Sequence, residues 1–207
     1  NLTKYQNSNF KILWILKEGN VDENDKEIER DICDEFRNNK HKENACAIPT
    51  FRKVIYASFG ILYPEISWRE IPSANSDGYE IIKEIAYINL NKYPGGNFSN
   101  KNTIENAYHE NKKEILGQID TFSPNIIICG GTFDYIHWSD LELIGWGNKK
   151  TPNFEGNPIN NKTFTYCYIV SKERLIISLP HPAYSGISDE DYWAQIKDAV
   201  LHWERLR

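Results

Sequence analysis

The chain has 207 residues, 40% of them hydrophobic and 13% aromatic, which is ample for one buried core in a single domain spanning 1–207. Its 24 lysines and arginines face 29 aspartates and glutamates. The net charge of −5 counts against a protein permanently coated in nucleic acid, but not against a transient DNA enzyme with a small basic face. No apolar run reaches the length of a membrane span, so no transmembrane helix or membrane partner is expected.

Cys33, Cys46, Cys129 and Cys167 are scattered, and none forms a C-x-x-C pair. That argues against a zinc knuckle or an iron–sulfur cluster and for reduced thiols in a cytoplasmic protein with no cofactor and no metal. Much of the acidity lies between Asp22 and Glu35, without the spacing of a calcium loop. Arg52-Lys53, Lys112-Lys113 and Lys149-Lys150 lie outside it and are candidates for a separate cationic face.

Phe10 to Leu16 is a continuous apolar run, the pattern of a strand buried on both faces. Asp25 to Asn38 reads as a helix with Ile28, Ile32, Cys33 and Phe36 on one side. Pro49 to Phe59 reads as a helix begun by its proline. Ile85 to Leu90 is a second buried strand, followed by a turn at Pro94-Gly95-Gly96. A helix over Asn102 to Ile119 leads into a third strand, Asn125 to Cys129. Gly130-Gly131-Thr132 then turns tightly into another helix, and 138–162, rich in Gly, Asn and Pro, reads as a long, partly irregular connection. Phe164 to Val170 and Leu175 to Leu179 are strands around a Ser171-Lys172 turn. Ser188 caps a last helix with acidic residues in its first turn. Strands alternating with helices imply a three-layer α/β/α sandwich around a mainly parallel sheet.

In such sheets ligands bind beyond the C-terminal strand ends. The loops there carry Lys17-Glu18-Gly19-Asn20, Asn89, Gly130-Gly131-Thr132 and His181-Pro182-Ala183. Proline fixes φ and restricts its predecessor, so His181, held between Pro180 and Pro182, sits in a stiff turn at the end of an apolar strand. A carboxylate, an amide, a glycine turn and a histidine converge on one edge.

The ordered set resembles the uracil-DNA glycosylase superfamily. That family carries a water-activating loop after strand one, a proline-rich loop, a base-reading strand ending in Asn, a Gly-Ser loop, and an HPSP loop with a wedge residue. The corresponding pieces here are Lys17-Glu18-Gly19-Asn20, Ala47-Ile48-Pro49-Thr50, Ile88-Asn89, Gly130-Gly131 and His181-Pro182-Ala183-Tyr184. They frame most of the chain. Lys17 replaces the glycine that opens the first loop, and Ala183 replaces the HPSP serine. Two registers stay open, with Glu18 at the catalytic aspartate's position or one place before it.

The resemblance implies a DNA glycosylase acting on a base flipped out of the helix, as a monomer. Glu18 would stabilise the sugar cation and orient water, and His181 would stabilise the departing base. Asn89 would read the base edge, with Gly19, Asn20 and Asn91 beside it. Asn91 shares the face of Asn89 if the strand continues that far. Phe51 and Trp14 are candidates for an aromatic lid, with core packing as the default for both. Pro49, Thr50, Gly130, Gly131 and Thr132 would approach phosphates, and Tyr184 (or Ile187) and Ser185 would meet the DNA at the wedge.

In the classical branch a tyrosine in the first loop closes the pocket against a 5-methyl group. The nearest residue here is Asn20, smaller and polar. The expected substrate is therefore a 5-substituted pyrimidine, such as a phage-type hypermodified cytosine, ahead of plain uracil. A role in phage defence follows if that base is viral. The alternatives are uracil repair, a non-catalytic binder of nucleic acid or protein on the same fold, and a different hydrolase or nucleotide-binding α/β enzyme, which dependence on divalent metal would favour.

Overall fold

The structure, a computed structural model, describes residues 1–19, 35, 36, 38–93, 95, 99–147 and 151–207. The helix expected over Asp25 to Asn38, the residue Asn20 and the pair Lys149-Lys150 therefore lie largely or wholly outside the described residues.

A six-stranded sheet runs through the molecule in the order β2-β1-β3-β6-β5-β4. The strands are β1 (Ile12–Leu16), β2 (Ala86–Asn89), β3 (Ile126–Gly130), β4 (Phe154–Glu155), β5 (Tyr166–Ser171) and β6 (Arg174–Leu179). β2, β1, β3 and β6 are parallel, whereas β5 and β4 add to the far edge in antiparallel pairings. The mainly parallel α/β architecture read from the sequence is thus present.

The apolar run of β1 is continuous because helices cover both of its faces. Ile12, Trp14 and Leu16 meet α2 (Pro49–Leu62) and α5 (Asp189–Glu204) through Val54, Ile55, Ile61, Ile196, Val200 and Trp203. Leu13 and Ile15 face the opposite way. They meet Ile104, Tyr108, Ile115 and Ile119 of α3 (Lys101–Phe122), together with Tyr5 of α1 (Leu2–Asn7) and Leu141 of α4 (Trp138–Leu143). Removing each such side chain from water contributes about 1.5–3 kcal/mol.

Helix ends follow local chemistry. Pro49 occupies the first turn of α2, where its missing N–H is no loss. Asn100 caps α3 by accepting from the Asn102 N–H, and Ser123 ends it in the left-handed region ahead of Pro124. Ser188 accepts from the Asp191 N–H at the start of α5, whose first turn carries Asp189, Glu190 and Asp191.

Some expectations are corrected. The regular parts of the connection 138–162 are α4 and β4. Gly130-Gly131-Thr132 leads first into a short 3-10 turn, Phe133–Tyr135, and only then into α4. α1 and the 3-10 segments Lys42–Asn44, Trp68–Glu70 and Asp77–Glu84 were not read from the sequence. Trp14 is no lid. It is fully buried in the core, stacks against Tyr192 and donates its indole N–H to Ser58 Oγ at 2.9 Å.

That bond sets a test of the core. Ser58→Ala leaves the buried indole N–H unpaired and is expected to cost about 1–3 kcal/mol. Urea unfolding of the variant beside the parent measures it; equal midpoints would remove the bond from the account.

Candidate active site

The register of the parallel strands brings four loops to one edge. Asn89 pairs in register with Leu16, Ile15 with Cys129, and Gly130 with Leu179. Glu18, Asn89, Gly131 and His181 therefore all lie at or just past the same end of neighbouring strands. Strand spacing makes the span from β2 to β6 about 14 Å, wide enough for a nucleoside.

Glu18 is half-buried and held. Asn91 Nδ2 donates to Glu18 Oε2 at 2.9 Å, while Asn91 Oδ1 accepts from the Tyr93 N–H at 3.1 Å. The Gly95 N–H donates to the Gly19 carbonyl at 2.9 Å, folding the post-β2 segment over the first loop. A Cβ on Gly95 would fall 2.1 Å from the Glu18 carboxyl carbon, so a side chain there would push this carboxylate out of its position. β2 ends at Asn89, and Asn91 does not continue it. Asn91 is engaged with Glu18 and the Tyr93 backbone, just past the strand that carries Asn89.

Asn89 differs. Its Oδ1 is buried and accepts no hydrogen bond from the described residues. A buried acceptor without a partner is uncommon and asks for a donor from outside the chain. Tyr87, two residues earlier on the same strand face, touches Phe36, and Phe36 touches Phe51 with centroids 5.4 Å apart. Phe51 thus belongs to a ring cluster on the face that carries Asn89, and its packing there also involves His41.

The His181 loop is a tight turn. The Tyr184 N–H donates to the His181 carbonyl at 2.8 Å, which places Pro182 where a turn favours proline. Within it the Ala183 N–H donates to His181 Nδ1 at 3.2 Å. Nδ1 is then the acceptor, and the neutral ring carries its proton on Nε2. Burial, with Lys17 and Lys53 nearby, pulls the His181 pKa from its ordinary 6.5 to about 4. At neutral pH this imidazole is an uncharged N–H donor.

Gly130, which ends β3, and Gly131 after it explain how the loop fits. A Cβ on Gly130 would meet Leu16 Cδ2 at 2.4 Å and Pro182 Cδ at 2.9 Å. Gly131 has φ +69° and its Cβ would lie 3.0 Å from the His181 backbone nitrogen. The Gly131 amide and the Thr132 hydroxyl do not stand free for phosphate as expected. The Gly131 N–H donates to the Leu179 carbonyl at 2.7 Å, and fully buried Thr132 donates its hydroxyl to the Ile15 carbonyl at 2.8 Å.

Pro49 is exposed and Thr50 half-buried at the start of α2. Tyr184 is 44% exposed and Ser185 is exposed, whereas Ile187 is buried and drops out as a wedge. Arg52 forms an ion pair with Asp189, Lys53 is buried, and Lys112 pairs with Asp140, so these residues do not make a free cationic face. Cys129 is core as expected, its thiol pushed up to about 12 by burial. Sequence reasoning missed three contributors: Gly95, Lys53, and Tyr93, which is 74% exposed beside the site. An Asn-x-Asn spacing, a lysine on the apolar face of α2 and a Pro-Gly turn were the available signals.

Neither a protein-family model nor a curated protein matches the chain.

Two outcomes follow. Gly131→Ala forces a left-handed Cβ against His181 and is expected to cost about 1–2 kcal/mol from the backbone alone, read by thermal unfolding. For His181 the folded pKa lies below the unfolded one, so its contribution to stability is complete above pH 6.5 and drains away as pH falls toward 4. His181→Gln should flatten the decline in stability across that interval; an unchanged slope would contradict a buried neutral imidazole.

Proposed function

We propose that the chain is a DNA glycosylase resembling the uracil-DNA glycosylase superfamily, cleaving the N-glycosidic bond of a flipped pyrimidine and leaving an abasic site. One observation carries the reading: a buried, unpartnered amide oxygen on Asn89 shares a sheet edge with a restrained carboxylate and a neutral imidazole donor. An acceptor that lacks a donor suits the ring N–H or the exocyclic amine of a pyrimidine.

The chemistry assigns each group. The bond from the sugar carbon to the base nitrogen breaks, and its electron pair leaves with the base. The Nε2–H of His181 donates to the base oxygen on which that charge collects, in a site where a fixed donor is worth more than in water. The Glu18 carboxylate stabilises the cationic sugar and takes the proton of the water whose oxygen bonds the sugar carbon. Asn91 and Gly95 keep that carboxylate on station. Tyr184, exposed on the rim, takes the place of the flipped base in the helix.

The proposed substrate is a 5-substituted pyrimidine, with hypermodified cytosine ahead of uracil. The support is the polar Asn20 in the first loop, which lies outside the described residues. A second reading, a non-catalytic binder on this fold, is favoured by the pairing or burial of Arg52, Lys53 and Lys112.

Base release separates these readings. The protein is incubated with DNA carrying uracil, 5-hydroxymethylcytosine or its glucosylated form, and abasic sites are cleaved by alkali. His181→Ala and Glu18→Gln are each expected to lose about a hundredfold or more in rate. Asn89→Ala is expected to weaken discrimination among bases. Vigorous release of uracil with none from the modified cytosines would overturn the substrate proposal. DNA binding without release of any base would favour the binder.

A further inference from the structure

Lys53 is a buried cation that the proposed chemistry leaves unused. It lies on α2, one turn past Pro49, and is only 3% exposed. Its ammonium donates to the Tyr184 carbonyl at 2.8 Å and to the Ile187 carbonyl at 2.7 Å. The ring of Tyr192 on α5 lies with its centroid 5.2 Å from Nζ. An ammonium has three N–H donors; two carbonyls and a ring face satisfy them, which is what a buried charge requires.

The two carbonyls bracket the segment that would meet DNA. Tyr184 closes the turn that begins at His181, and Ile187 is the buried residue at which the segment re-enters the core before α5. The intervening Ser185 and Gly186 are exposed. A Cβ on Gly186 would lie 2.5 Å from the Tyr184 ring, so the ring folds back over its own loop. The Tyr184 ring also touches Phe164, with centroids 5.9 Å apart, while the loop's backbone is tied from beneath by the Lys53 ammonium. Tyr192 adds a second tie from α5, donating its hydroxyl to the Pro180 carbonyl at 3.0 Å.

The charged and titratable groups around this loop come from three elements. Lys17 and Glu18 follow β1, Arg52 and Lys53 stand on α2, and Asp189 and Tyr192 on α5. Arg52 and Asp189 neutralise each other in their ion pair, and Asn91 holds Glu18. Lys17 and Lys53 are the two cations that act on His181.

We propose that Lys53 is a positioning residue: its ammonium clamps the 184–187 loop from below, fixing the backbone at Tyr184 and Ile187 and with it the turn that begins at His181. The inference rests on the glycosylase reading only for its consequence in catalysis; the clamp itself is a property of the free protein. It also separates two roles that a single lysine would otherwise confuse. Lys17 acts on His181 through charge, whereas Lys53 acts through charge and through the loop.

The test reads the free protein first. The His181 ring is followed by NMR against pH, assigned by its loss in His181→Gln, and amide exchange is measured over 182–187. In Lys53→Met the His181 inflection should move up by about half a pH unit or more, and exchange in the loop should quicken at least about tenfold. Lys17→Met should raise the inflection while leaving loop exchange as in the parent. Lys53→Arg, which keeps charge and donors, should restore slow exchange. If Lys53→Met does not fold, Lys53→Gln is read the same way. A folded Met or Gln variant with the parent's inflection and exchange overturns the proposal. Base release is measured last: loss in kcat, with KM little changed, is expected in Lys53→Met. A parent that releases no base refutes the glycosylase reading, while the NMR and exchange results still decide the clamp.

Discussion

Everything at the candidate site depends on the parallel register of β2, β1, β3 and β6. Parallel strands paired in this way end at one level, so residues far apart in the chain meet without any long side chain having to reach. β1 and β3 are buried on both faces and therefore strongly apolar, and along them polar chemistry has no place until the strand ends. The edge collects it. Asn89 is the last residue of its strand, and Glu18, Gly131 and His181 come within two residues of theirs.

Close packing then sharpens what register only approximates. Gly130 and Gly131 give up their side chains so that the His181–Pro182 turn can lie against β1 and β3. Gly95 does the same for the carboxylate. These glycines are matched to the groups beside them, and the backbone supplies the wall in each case. Desolvation follows from such contact, and it is the leading reason that the histidine stays uncharged.

The strands that cross the core were legible in the sequence because burial on both faces writes an unmistakable apolar run, as in Phe10 to Leu16 and Asn125 to Cys129. The capped helices were legible for a different reason: Ser188 and Pro49 are local signals that need no tertiary context. What escaped was short or context-dependent. α1 and the 3-10 segments are too brief to show a period, and the two-residue β4 exists only because β5 offers it an edge. At the site, spacing revealed two amides at Asn89 and Asn91 but not which one the carboxylate would claim. Thr132 looked available beside two glycines, yet the carbonyl of Ile15 takes its hydroxyl inward. Lys53 read as half of a cationic pair, since nothing local shows that two carbonyls more than a hundred residues away will bury it.

The restraint on Glu18 has a consequence for when disorder is lost. A free glutamate explores many rotamers, and any partner that required one of them would bear the cost of ordering it. Here the Asn91 amide and the bare backbone of Gly95 narrow those rotamers during folding. The entropy is surrendered once, when the chain folds, and the carboxylate is left aimed along the sheet edge.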